Sequence, residues 1–528
     1  MRLLLLLSAV CLIFLSGCSE NNYQNIKNDV FWDTVDGEAI YSQGGGVFRF
    51  VDSKSGKEKY FWYGVHYKEA ELYRANPVKE YDKCTFVSVS CYSSDDLVNW
   101  TFEGDVLTNE EAEKLGKANW LGRMGITYIQ EIEKYALFIQ HNANILVALS
   151  DSPTGNFKSD QLLDITEFIG YTGSGDQTVF VDEESGKSYL VYSKPHGRNR
   201  IYISEIGMVE GKVGLKDCTH IFSGEGREGN CMFKHNGKYY MFASNLYGWD
   251  SSFAYYLVAD DIRGPYLPHN DMLVAPGSEK DYAHISQTGF FISVKGSEQE
   301  TVVFCGDRWA DFAGNGLGYN QWCPLSFEGE TPYFNSLNSW ELDAKTGSWR
   351  VAEDNDYVKN GSFEADRRYI PSPVKPVQDF ILGWKTEVIE GNKVAVNDSL
   401  SPTLNYFNSQ EDRRFAEGEK SLQISDKVDF RRRISQVIES DKFVELPDGN
   451  YRLSAIVKHN SRFNELVLFA KSGEQEFVTS CLENENSWNQ ITLNNVVVKN
   501  NNVEVGIFAD GNSDAFALID KVSFIKEK

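Results

Sequence analysis

The chain has 528 residues, of which 41% are hydrophobic and 13% aromatic, and a formal net charge of −24. That length allows more than one domain with a sizeable core. The negative charge argues against a nucleic-acid or anionic-membrane partner, disfavours polyuronides and leaves neutral ligands open.

The chain begins MRLLLLLSAVCLIFLSGCSENN, where Arg2 precedes an apolar stretch and then small residues. An apolar run of about 13 residues is too short to cross a bilayer and reads as an export signal. LSGC, at 15–18, resembles the lipobox of bacterial lipoproteins, in which the cysteine is acylated and becomes the mature N-terminus. The resemblance implies a signal peptide over 1–17, lipid attachment at Cys18 and a polar tether over 18–29. The expected location is the cell envelope, on the periplasmic or outward face of an outer membrane, held by the lipid alone.

From residue 30 onward, Tyr, Phe, Trp, Val and Thr cluster in short runs split by Gly, Asn and Asp, which points to an all-β fold. One pattern recurs five times: a polar or glycine-rich start, an apolar strand, a turn and an aromatic strand. Its copies are SQGGGVFRFVDSKSGKEKYFWYG, GRMGITYIQEIEKYALFIQ, GDQTVFVDEESGKSYLVYS, REGNCMFKHNGKYYMFAS and SQTGFFISVKGSEQETVVFCGD. Spacings of roughly 50 to 75 residues leave room for two more strands per copy, so a five-bladed β-propeller is expected. In that architecture the starts of the inner strands converge on a central funnel. The residues there are Gln43, Arg123, Asp176, Glu228 and Gln287. NSWELDAKTGSWRV, at 338–351, reads as the strand pair closing the ring, which sets the propeller at 30–351.

After residue 351 the repeat stops and a proline-rich stretch intervenes. Seven strand-like runs follow: KSLQIS, RRRISQVIE, YRLSAIVKH, ELVLFAKS, WNQITLNNVVVK, VEVGIFA and FALIDKVSF. They predict a jelly-roll β-sandwich over 352–528.

Six stretches resemble glycoside hydrolase family 43, and most of all its exo-β-1,3-galactanase branch. They are DTVDGEAIYSQGGG, SSDDLVNW, GDQTVFVDEESGKSYLVYS, REGNCMFKHNGKYYMFASNLYGW, HISQTGF and GDRWADFAGNGLGYNQWCPLSF. The C-terminal part resembles carbohydrate-binding jelly-roll modules. The resemblance implies inverting hydrolysis of a terminal glycosidic bond, with two groups about 6.5–9.5 Å apart serving as acid and base. It places the general acid at Glu228, a carboxylate that tunes and orients it at Asp176, and a water-positioning or basic amide at Gln287. Asp176 would raise the Glu228 pKa and Arg227 would lower it. An amide is a poor proton acceptor, so Asp33, Asp36 and Asp281 are candidates for removing the water proton. Gln43, Arg123, Trp249, Asp307, Arg308 and Trp309 are expected to contact sugar. Gly122 stands where the branch is expected to carry a glutamate, and Gln43 where it carries a histidine, so the substrate can differ.

Cys84 and Cys91 lie about 23 Å apart on an extended strand, beyond disulfide reach. No C-x-x-C pair or metal-spaced histidines occur. No cofactor is expected, and structural calcium is not predictable from the sequence. The expected partner is a polysaccharide or oligosaccharide, bound by a monomer. An arabinofuranosidase or xylosidase activity, or a non-catalytic glycan-binding lipoprotein, are the competing expectations.

Overall fold

A computed structural model describes residues 22–248, 252–280, 286–310, 315–365, 378–396 and 401–528. The described chain is all-β, and its longest helix, Lys68–Ala75, has eight residues. Between residues 43 and 334 it forms five consecutive antiparallel sheets of four or five strands. Their first strands are Gln43–Val51, Leu121–Ile129, Gln177–Asp182, Glu228–His235 and Gln287–Lys295. Each first strand packs against the next, and the last packs against the first. Such a ring of sheets followed by a β domain is consistent with a propeller and a C-terminal module. The aromatic second strands occupy Glu58–Tyr67, Lys134–His141, Lys187–Ser193, Lys238–Ser244 and Glu300–Ala310, where the repeat places them.

Burial explains why the repeat is so apolar. A strand buried on both faces loses the in–out alternation of a solvent-facing sheet, and Lys134–His141 is buried over its last six residues. The seam between the first and fifth sheets is filled by indoles. Trp62 lies 5.1 Å from Trp100 and 5.0 Å from Trp322, and Trp32 lies 5.1 Å from Trp322. Truncating one buried tryptophan to alanine costs about 3–5 kcal/mol. These indoles hold the ring shut rather than meeting a ligand.

Two expectations about the ends of this region need correction. Gln24–Lys27, inside the expected tether, is a strand, and it pairs with Ser339–Leu342, which pairs with Trp349–Val351. The 338–351 pair therefore forms a separate three-stranded sheet with the N-terminal segment. Asn28 fixes that segment: its side chain donates to the Trp322 and Leu337 carbonyls and accepts from the Trp322 amide. Cys18 lies outside the described residues.

The C-terminal region has two five-stranded antiparallel sheets. Ile434, Leu466, Leu468, Val505 and Ile507 from one share a core with Leu422, Leu453, Val457, Ile519 and Phe524 from the other. All seven expected strands are present. Lys385–Glu390, Asn405–Phe407 and Gln475–Ser480 are additional, and all three are sheet edges. Edge strands bury little, so their sequences carry little apolar alternation. The two regions meet through Arg413 and Glu80 (2.6 Å), Lys442 and Glu328 (2.5 Å), and the rings of Tyr333 and Phe443 (5.2 Å). No disulfide joins the described cysteines, Cys84 and Cys91 among them.

Candidate active site

Four of the five first strands begin with an irregularity. The pairing register shifts between Gln43 and Gly46, Leu121 and Met124, Glu228 and Cys231, and Thr288 and Phe290. A bulge re-aims the side chains at its start, and here it recurs at one end of the ring. Gly229 shows the tolerance involved. Its φ is +64°, and a Cβ there would lie 2.4 Å from the Thr288 carbonyl oxygen. Only glycine lets the fourth first strand approach the fifth this closely, which brings Glu228 beside Gln287.

The resulting cluster draws on all five sheets. Arg123 is 3% exposed and joins three of them. Its Nη1 donates to Asp307 Oδ2 (2.5 Å), its Nη2 to Gln287 Oε1, and its Nε lies 3.5 Å from Asp176 Oδ2. A planar fork with fixed donors suits such a three-way junction, as a lysine would not. Asp307 and Gln287 face each other across paired strands. Asp307 Oδ1 accepts the Gly44 amide (2.8 Å), tying in the first sheet. Trp309 is buried under the Arg123 guanidinium and donates its Nε1–H to Gln287 Oε1 (3.0 Å). The Gln287 carbonyl thus holds two donors, and its amide group lies near enough to Glu228 to favour the carboxylate.

Glu228 and Asp176 share an arginine that sequence reasoning missed. Arg198 Nη1 bonds to Glu228 Oε2 and lies 3.2 Å from Asp176 Oδ1. Asp176 Oδ2 also accepts the Gly229 amide (2.8 Å). Burial opposes ionisation of Asp176, but Arg198, Arg123 and that amide outweigh it and hold the carboxyl below its usual range. Glu228 behaves oppositely. Burial first, and then the Asp176 charge, push it to about 8, with Arg198, Arg123 and Gln287 offsetting only part. Burial also raises Asp307, against Arg123. Asp176 is thus held ionised between Arg198 and Arg123, and Glu228, pushed up by burial and by that charge, is the carboxyl that keeps its proton.

Arg227 plays no part in that balance, contrary to expectation. It points away, donates to Asn245 Oδ1 (2.6 Å) and lies 4.3 Å over the Tyr255 ring. Arg308 also turns away from the funnel. Successive strand side chains alternate, and it faces Asp29 and Glu364, each at 3.8 Å. Its expected sugar contact becomes a bridge to the C-terminal region. Arg123, Asp307 and Trp309 engage protein partners and shape the site from within. Gln43 is buried; its Nε2 donates to the Tyr319 carbonyl (3.3 Å), and its Oε1 has no hydrogen-bond partner among the described residues. Asp33 is exposed and paired with Arg74 (2.5 Å), and Asp36 is exposed. Trp249 and Asp281 lie outside the described residues.

The sequence profile of glycosyl hydrolases family 43 matches residues 56–317, the stretch that supplies Arg123, Asp176, Glu228, Gln287 and Asp307. This stretch is a family 43 domain. The protein is accordingly a glycoside hydrolase, of a family that needs no cofactor. Among the described residues no group of three or more His, Cys, Asp or Glu is placed to hold a metal ion. No curated protein sequence matches the chain. Solved structures share its fold over nearly its whole length. One is an exo-β-1,3-galactanase from Phanerochaete chrysosporium in complex with β-1,3-galactotriose (TM-score 0.52, 18% identity, 95% of this chain and 99% of that one). A second is the same galactanase with galactose (TM-score 0.53, 18% identity, 95% and 100%). A third is an exo-β-1,3-galactanase from Clostridium thermocellum (TM-score 0.53, 19% identity, 94% and 100%).

A cavity of about 700 Å³ opens among the far ends of the same first strands. Its charged groups are paired with one another, as in Lys295 with Glu183 (3.0 Å) and Lys234 with Glu184 (2.6 Å). The family 43 domain keeps its perturbed carboxyl at the other end.

Proposed function

We propose that the protein is an exo-acting, inverting glycosidase that releases terminal galactose from β-1,3-linked galactan, with Glu228 as general acid. The observation that carries this is the raised carboxyl of Glu228. Glu228 is buried against Asp176 with a pKa of about 8, so it holds its proton at neutral pH, as an acid facing a leaving oxygen must. Asp176, kept ionised by its arginines, maintains that proton by repulsion and orients the neighbouring strand through Gly229. Glu228 protonates the glycosidic oxygen as the bond to the anomeric carbon breaks; water adds from the opposite face and gives its proton to bulk water, from which Glu228 is reprotonated. Gln287, its carbonyl fixed by Arg123 and Trp309, positions the attacking water through its amide group once bound sugar stands between that amide and Glu228. Gln43 Oε1 accepts from a sugar hydroxyl.

The architecture we infer is a five-bladed propeller followed by a jelly-roll, glycan-binding sandwich, in a monomer attached to the envelope through a lipid on Cys18. The galactan substrate is supported by the fold neighbours, which are galactanases by name. The test is incubation of purified protein with β-1,3-galactobiose, β-1,3-galactan, and aryl arabinofuranosides and xylosides, with the released anomer followed by proton NMR. Release of α-galactose from the β-linked substrates is expected. Release of arabinose or xylose alone overturns the substrate, release of β-galactose overturns inversion, and glycan retention without turnover overturns the enzyme.

A further inference from the structure

Gly122 immediately precedes Arg123, at the centre of the site, yet its backbone does not require glycine, since it is absent from the positive-φ residues. What it requires is space. A Cβ at Gly122 would lie 2.4 Å from Cζ2, 2.5 Å from Cε2 and 2.6 Å from Nε1 of Trp120. The indole therefore occupies the volume that a side chain at 122 would fill.

Trp120 is set there firmly. Asn142, with φ of 56°, accepts the Asn119 and Trp120 amides on its Oδ1 (2.8 and 3.3 Å) and donates its own amide to the Trp120 carbonyl (2.8 Å). The indole stacks on Tyr67 at 5.6 Å and 21°, and its centroid lies 6.2 Å from Trp309, the ring that bonds Gln287. It remains half-buried, unlike Tyr67 and Trp309. A rigid aromatic that keeps accessible surface beside a buried polar cluster is suited to the C–H face of a sugar ring, because little conformational freedom is lost on contact.

We propose that Trp120 is the stacking wall of the substrate site and that Gly122 is glycine to admit it. At this wall a neutral pyranosyl unit is recognised by its apolar C–H face and not by a hydrogen bond from residue 122. Trp120 is a specificity-determining residue, and the assignment rests on the glycosidase function proposed above.

The test compares Trp120→Leu, which keeps apolar packing but loses the flat surface, with Trp120→Phe, which keeps a ring. Each is assayed for kcat/KM on β-1,3-galactobiose. In a Glu228→Gln background each is titrated calorimetrically with the same disaccharide, and thermal melting reports the fold. Losing one stacked ring face lowers affinity and kcat/KM about ten- to hundredfold in Trp120→Leu, while Trp120→Phe stays within about threefold of wild type. Gly122→Ser, which displaces the indole without touching it chemically, reproduces the Leu loss and serves if Trp120→Leu does not fold. Equal behaviour of the Leu and Phe variants means packing alone and overturns the proposal. If the enzyme cleaves only xylosides, with the Leu and Phe variants still diverging on them, the wall stands and the galactan assignment alone falls; cleavage of arabinofuranosides alone overturns the pyranosyl unit at the wall as well. If wild type neither binds nor cleaves any glycoside, both fall.

Discussion

Replacing Arg198 with methionine tests the electrostatics of the site, because one guanidinium serves both carboxyls. Arg198 Nη1 bonds to Glu228 and lies 3.2 Å from Asp176. Two unit charges about 4 Å apart interact by about 4 kcal/mol at an effective dielectric of 20, or about 3 pKa units. The Arg198 side chain is 26% exposed, so solvent screening reduces this, and about 1–2 units is expected. The sign follows from charge: losing a cation disfavours ionisation, so both carboxyls titrate higher. Glu228 starts at about 8. The basic limb of kcat/KM, where the acid loses its proton, should move up by that 1–2 units, and the acidic limb set by Asp176 should rise with it. Methionine keeps the length and apolar stem, and thermal melting checks the fold. The assay is kcat/KM on β-1,3-galactobiose across the pH range. A basic limb that stays in place or moves down would refute the shared-arginine account.

Other consequences are testable alongside it. Gln287→Ala should lower kcat about 10²–10³-fold if the amide positions water; a loss under tenfold would shift that role to another group. Trp309→Phe removes the indole donor to Gln287 and keeps a ring, so kcat should fall about tenfold with KM little changed. A change confined to KM would show that Trp309 acts by contact with sugar. Glu364, buried between the two regions, is raised to about 7, with burial the main cause and Lys420 and Arg308 offsetting part. It binds its proton more tightly folded than unfolded. Its contribution to stability is therefore full below about pH 4.3 and declines as pH rises toward 7. Glu364→Gln should flatten the fall in melting temperature across that window, and a slope identical to wild type would exclude Glu364 as its source.

Much of this was legible in the sequence, for reasons visible in particular residues. The five second strands sit where the aromatic repeat puts them, because strands buried on both faces must be apolar and broad. Gln43, Arg123, Asp176, Glu228 and Gln287 were gathered by the repeat alone, and they share one end of the ring because its first strands begin there. Arg198 escaped notice because it lies in the KPHGRNR turn after a second strand, outside any repeat position. A topological signal existed, since an antiparallel second strand ends where the first began, and the turn after it must line the same mouth. Arg227 and Arg308 misled because adjacency in sequence says little about direction: on a strand, neighbours point to opposite faces. Trp120 was one of five aromatics, with Tyr171, Trp249, Trp309 and Trp322, that could face a sugar from the sequence, and Trp249 and Trp309 were preferred to it; only the space over Gly122 reveals its place. The tether was misread because Gln24–Lys27 is polar and buries little, although its strand pairing is fixed.

The central claim is that Glu228 delivers the proton to the leaving oxygen, and leaving-group dependence tests it most directly. Glu228→Ala should lose about 10²–10⁴-fold in kcat/KM on β-1,3-galactobiose, whose sugar leaving group needs protonation. The same variant should retain most of its activity on 2,4-dinitrophenyl β-galactoside, whose leaving group departs unprotonated. Equal losses on the two substrates, or disaccharide activity within tenfold of wild type, would contradict the assignment.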